Sequence, residues 1–163
     1  MQILNYEKQA LEELLDEIDS LEGHEFEYYC AELLRKCRYI NVSVTPGSND
    51  QGADITAEKD SIKYAFQCKR VNSHLNNKCV QEISVGRAYY KCDIGIVLTN
   101  NYFNENAKMA ASATGVLLWD REKLSFLLKE SGLVTVKAVE LREHDERVCR
   151  AAEEKRKAEE RGL

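Results

Sequence analysis

The stretch from Gly47 to Arg70 limits the fold more than any other part of this chain. It reads as a polar turn, a short strand through Asp54, a turn near Lys59-Asp60, and a second strand carrying Gln67 and Lys69. So short a connection makes the two strands antiparallel neighbours. Because side chains alternate along a strand, Ala53, Ile55 and Ala57 should share one face and Asp54 and Thr56 the other. By the same alternation Gln67 and Lys69 point away from Phe66 and Cys68. An acid, an amide and a lysine then converge on one patch. Folding has no need of that patch, so function should be sought there.

The remaining pattern surrounds this hairpin. Residues 3–21 carry Leu4, Leu11 and Ile18 seven apart, with Leu14 and Leu21 offset by three. This predicts an amphipathic helix whose stripe docks on its own chain or on a second copy. A helix over 24–37 aligns Phe26, Cys30, Leu33, Leu34 and Cys37, with Glu27 at the edge of that stripe. Tyr39–Thr45 alternates Ile40, Val42 and Val44 against polar residues, as a half-buried strand does. Residues 76–91 read as a helix with Val80, Ile83 and Ala88 facing inward. Ile94–Leu98 is a continuous apolar run, expected of a strand covered on both faces. Asn104 caps a helix bearing Ala107, Ala110, Ala111 and Ala113; Val116–Trp119 forms a short strand; Asp120 caps a helix with Leu124, Leu127 and Leu128. A hairpin followed by helical crossovers predicts an α/β fold, a mixed β-sheet core flanked by helices. The expected division is an N-terminal amphipathic helix (1–21), a central domain (22–130) and a charged C-terminal helix or tail (131–163).

Composition narrows the function classes. The six cysteines form no C-x-x-C pair and most lie in apolar segments, which suits reduced thiols in a cytoplasmic protein and not a zinc finger. No run approaches membrane-spanning length, so no membrane partner is expected. The net charge of −5 is unevenly spread. Residues 1–32 hold ten acids against Lys8, whereas 61–91 hold six bases against Glu82 alone. A local basic surface beside the polar patch is compatible with phosphate contacts.

Phosphodiester hydrolysis needs an activated water, a held phosphate and a stabilised leaving oxygen. A hard divalent cation on one or two carboxylates supplies much of this, and a nearby lysine orients the water and offsets developing charge. Asp54, Gln67 and Lys69, with a helix acid from Glu27, provide those residue types. The order Phe26-Glu27, Leu33-Leu34, Tyr39, Asp50-Gln51-Gly52-Ala53-Asp54 and Gln67-Cys68-Lys69-Arg70 resembles the Mrr-like restriction endonuclease family of the PD-(D/E)xK nuclease superfamily. Val80-Gln81-Glu82, Val97-Leu98-Thr99-Asn100 before Phe103, and Leu118-Trp119-Asp120 before Leu124 extend the resemblance to about Leu21–Leu128.

The resemblance implies a restriction-endonuclease-like fold and a Mg2+- or Mn2+-dependent DNA endonuclease acting in defence against foreign or modified DNA. Asp54 would be the principal metal ligand, Gln67 would stand in the second acidic position, and Lys69 would be the catalytic lysine. Glu27 would complete the metal shell as the helix acid, with Glu25 as its rival, and the Cys68 carbonyl would be a further ligand. Gln81 divides between helix surface and site, and Asp50 is read as a turn residue with a ligand role in reserve. Arg70 and Lys78 are the candidate DNA phosphate contacts. A glycine usual before Tyr39 is Arg38 here. No target-recognition domain is evident, so specificity should come from loops, from homodimerisation or from a separate partner protein. The competing readings are a repair or junction-cleaving nuclease of the same fold, and a non-catalytic nucleic-acid-binding module.

Overall fold

The computed structural model describes residues 2–46 and 51–162. The chain runs α1 (Gln2–Asp19), α2 (Gly23–Lys36), β1 (Ile40–Val44), β2 (Ile55–Lys59), β3 (Ile62–Lys69), α3 (Lys78–Tyr89), β4 (Ile94–Thr99), α4 (Glu105–Thr114), β5 (Leu117–Trp119), α5 (Arg121–Glu130) and α6 (Leu133–Glu160). The five strands lie in sequence order in one mixed sheet. β1, β2 and β3 pair antiparallel, as their short connections require; β3, β4 and β5 pair parallel through helical crossovers. β3 is therefore the strand at which the sheet changes direction type.

Helices cover both faces of the sheet. On one side Phe66, Cys68, Ile55, Ile96 and Leu98 pack with Phe26, Cys30 and Leu34 of α2, Ile18 of α1 and Leu124 and Leu128 of α5. Tyr39, Tyr64, Phe66 and Trp119 form a run of ring contacts here, with centroids 5.5 to 6.1 Å apart. On the other side Ala65 and Val97 pack with Val80 and Ile83 of α3 and with Ala107 and Ala111 of α4, whose small side chains let that helix approach closely. Asn104 and Asp120 cap α4 and α5 through their side chains, accepting from the N–H groups of Ala107 and Lys123.

Several local expectations are corrected. Ile40 is 61% exposed, because β1 bulges between Ile40 and Ser43 and Asn41 takes a left-handed backbone. Ala53 does not share a face with Ile55 and Ala57. It packs on the α3 side, because regular pairing in β2 begins only at Ile55. Ala88 and Ala113 are exposed; in α3 the buried small residue is Gly86. The α1 stripe is covered within the chain only in part: Ala10, Leu14, Leu15 and Ile18 join the core together with Val134 and Ala138 of α6, whereas Leu4 is exposed. Lys137 of α6 adds ion pairs to Glu13 and Glu17 of α1. Beyond Leu141, α6 is a solvated helix carrying i,i+4 pairs such as Glu153–Lys157. No described helix is long and apolar enough to cross a membrane.

Candidate active site

Asp54 sits just ahead of β2, with both its backbone and its carboxylate engaged. Its N–H donates to the Phe66 carbonyl at 2.7 Å, and its carbonyl accepts from the Thr45 N–H at 2.8 Å. Its Oδ2 accepts from the Cys68 N–H at 2.7 Å. Bonded to residues on either side of Gln67, the 4%-exposed Asp54 is held against the end of β3. A buried carboxylate with a charge-assisted backbone bond has a fixed direction.

Gln67 is buried, and its Oε1 has no hydrogen-bond partner among the described residues. Such an acceptor costs about 1–3 kcal/mol when left unmet, so its retention beside Asp54 calls for an explanation in chemistry. Lys69 follows on the same face of β3. Its carbonyl accepts from Thr99 Oγ1 at 2.6 Å, which ties it to β4. Its ammonium pairs with Glu82 Oε2 of α3 at 3.0 Å.

Glu27 arrives from the opposite layer, one helical turn ahead of Cys30. The hydrogen bond that its S–H donates to Cys30, burial, and the nearby carboxylates of Asp54 and Glu27 hold the Cys68 thiol well above its ordinary pKa. Both carboxylates therefore lie close to Cys68, at the same end of β3. Glu27 is half-buried and 3.8 Å from His24 Nδ1. Its rival Glu25 is exposed and accepts from the Glu22 N–H at 2.7 Å, so it serves as a cap for α2.

Other expected residues fall elsewhere. Gln81 is exposed on α3, and it is the next residue, Glu82, that turns to Lys69. The register of α3 explains this: Cys79, Val80 and Ile83 face the sheet, which carries Glu82 toward the end of β3. Sequence reasoning missed Glu82, though an acid alone among six bases was a visible signal. Arg70 is half-buried, and its Nη1 donates to the Asp19 carbonyl at 3.2 Å and to Asn72 Oδ1 at 3.0 Å. Lys78 is exposed at the first residue of α3. Asp50 lies outside the described residues.

Gly52 and Gly86 position the loop before Asp54. Gly52 has φ of +92°, and a Cβ there would stand 2.1 Å from the Glu82 carbonyl oxygen. A Cβ on Gly86 would lie 2.5 Å from the Gly52 carbonyl carbon. The loop and α3 thus meet backbone to backbone.

A family model described as restriction endonuclease, Mrr_cat, matches residues 18–128. The chain belongs to the Mrr-type restriction endonuclease family. No curated protein matches it. Three solved structures share the Mrr-type fold at low identity. The restriction endonuclease MspJI, in complex with a 27-mer oligonucleotide, has a TM-score of 0.54 at 18% identity, covering 81% of this chain and 32% of that one. The DNA modification-dependent restriction endonuclease AspBHI has a TM-score of 0.55 at 18% identity, covering 85% and 40%. AF1548, a protein of unknown function, has a TM-score of 0.55 at 19% identity, covering 65% of each. The chain therefore spans under two thirds of each of these proteins, and about a third of MspJI.

The donor set of this Mrr-type site accords with a hard divalent cation. It offers the Asp54 carboxylate, the Glu27 carboxylate and the Gln67 amide oxygen, which accepts no hydrogen bond among the described residues. Among the described residues no three His, Cys, Asp or Glu side chains cluster as a metal site. Gln67 brings an oxygen and no charge, so the negative charge of this donor set is that of Asp54 and Glu27.

Proposed function

We propose that this chain is the catalytic unit of a Mg2+- or Mn2+-dependent DNA endonuclease that cuts foreign or modified DNA. The observation that carries this reading is the buried Gln67 Oε1, without a hydrogen-bond partner among the described residues, next to Cys68, whose N–H fixes the Asp54 carboxylate. The DNA in the MspJI structure and the modification dependence of AspBHI support the substrate class.

In this reading Asp54, Glu27, the Gln67 amide oxygen and the Cys68 carbonyl hold the cation. When bound, the cation polarises the phosphate and lowers the pKa of water. Lys69 orients the attacking water and offsets charge at the phosphorus. Glu82 holds the Lys69 ammonium at the site before DNA arrives, and a phosphate then competes for the same cation. Burial around Asp54 and Gln67 keeps the bonds to the scissile group strong by excluding water.

Plasmid, methylated plasmid and a four-way junction, each with magnesium, manganese or EDTA, test the proposal. Metal-dependent cutting is expected, lost by at least a hundredfold in Asp54→Ala and in Lys69→Ala. Binding without cutting under every metal condition would instead make the chain a nucleic-acid-binding module. Preference for the junction over both plasmids would favour repair over defence.

A further inference from the structure

Beyond Lys69 and Thr99 the loops after β3 and β4 border a shallow, open polar hollow of about 290 Å³, lined by Asp19, Val71, Asn72, Asn100, Asn101, Tyr102 and Arg121. We infer that this hollow is a subsite for one unstacked nucleobase of the strand being cut, with Tyr102 as the stacking platform. The inference rests on the nuclease reading for its substrate but uses none of the residues assigned to the chemistry.

Position comes first. Lys69 and Thr99 are register partners at the ends of β3 and β4, and the hollow begins with Val71, two residues after Lys69, and Asn100, the residue after Thr99. Two residues span at most about 7 Å, so the hollow begins about one nucleotide's length from the catalytic lysine's backbone.

Charge excludes a second phosphate. Arg121 donates twice to the Asp19 carboxylate, at 2.8 and 3.1 Å, and Asn100 Nδ2 adds a third bond at 2.9 Å. The arginine is neutralised and the acid lines the same space, so an anion entering would meet Asp19. The remaining surface is Val71, the Tyr102 ring and three amides; Asn100 and Asn101 are bonded within the protein at both ends, which leaves the ring and the exposed Asn72 amide to meet a base. Beside Asn72, the buried Nε of Arg70 has no acceptor among the described residues.

The platform is built in advance. Leu75 donates to the Tyr102 carbonyl and Asn104 to the Leu75 carbonyl, each at 2.9 Å. Asn101 Oδ1 accepts from the Tyr102 N–H at 2.8 Å. His74 meets the Tyr102 ring edge-on, with centroids 6.0 Å apart. Tyr102 is 38% exposed although its backbone is locked, so its side chain is available without loop ordering at binding.

The test uses the full chain and a labelled duplex cut at a mapped position, with a series carrying one abasic site at each of the four nucleotides on either side. Affinity is read by anisotropy with calcium replacing magnesium, and cutting is read with magnesium. Tyr102→Ala is expected to weaken binding by about fivefold to a hundredfold, and Tyr102→Phe by less than about twofold. One abasic position should cost the wild type the same factor and cost Tyr102→Ala nothing further. Equal losses in both proteins at every position, or wild-type affinity in Tyr102→Ala, would overturn the subsite. Thermal melting of both variants identifies a loss due to unfolding, which Tyr102→Phe, keeping the ring, must not show. Wild-type cutting of the intact duplex tests the nuclease reading separately. Coupling between Tyr102 and one abasic position without any cutting would uphold the subsite and remove that reading.

Discussion

At the scale of single residues, Gln67 is the most informative side chain. A carboxylate in its place would add a negative charge to the donor set; the amide supplies an oxygen and no charge. Cation affinity without DNA should therefore be weak and should tighten when phosphate oxygens join. Gln67→Glu is expected to raise magnesium affinity in the absence of DNA by about tenfold, which is ~1.4 kcal/mol and modest for one extra charge at contact distance. Calorimetric titration of the two proteins, with and without a duplex, checks this; an unchanged apo affinity would dissociate Gln67 from the cation. Arg38 shows a different kind of legibility. Its φ of +70° confirms that the turn before Tyr39 needs a left-handed residue, the reason a glycine suits that position.

Among elements, the helix best defined by its contacts is α3. Alternation placed Gln67 and Lys69 together on β3, and this was legible because strand period is strict. The partner on α3 was not legible. A helix turns 100° per residue, so choosing Gln81 over Glu82 depended on a rotation that only the packing of Cys79, Val80 and Ile83 fixes. The offset of Ala53 from Ile55 escaped for a related reason, since it arises in the loop seated on Gly86. Gly86→Ala tests that seating. Alanine should favour the helix by about 1 kcal/mol on propensity alone. The overlap with Gly52 should outweigh this, giving a net loss of about 2 kcal/mol or more. Chemical denaturation measures the sign directly, and a stabilised variant would show that the loop is not held by α3. The same substitution should depress cutting of plasmid by displacing the segment that leads into Asp54.

For the molecule as a whole, α1 is an integral layer of the fold. Its end is bonded to three other elements at Asp19: to Arg70 after β3, Asn100 after β4 and Arg121 at the start of α5. Burial by itself would raise the pKa of Asp19. The hydrogen bonds from Arg121 and Asn100, with the charges of Arg121 and Arg70, outweigh it and lower the value below the usual 3.8. A carboxylate depressed in the folded state stabilises the protein above its unfolded pKa, and that contribution fades as pH falls through the folded value. Asp19→Asn should therefore lower the melting temperature at pH 7, and the difference from wild type should shrink below about pH 4. A pH series of thermal melts reads both, and a gap constant down to pH 2 would contradict the assignment. Amphipathic spacing revealed that α1 has an apolar face. It gave no sign that α6, a charge-rich segment, would cover that face, because the match is carried by Leu133, Val134, Ala138 and Leu141 of its early turns.

The contact of Gly52 with Gly86 also bears on synthesis. Asp54, Gln67 and Lys69 leave the ribosome before the helix turn that fixes the loop ahead of Asp54. A chain interrupted between β3 and Gly86 carries Asp54, Gln67 and Lys69 and still lacks the backbone seat that Gly86 gives the loop ahead of Asp54. On the proposed reaction, assembly of the site is thereby tied to completion of the αβ crossover.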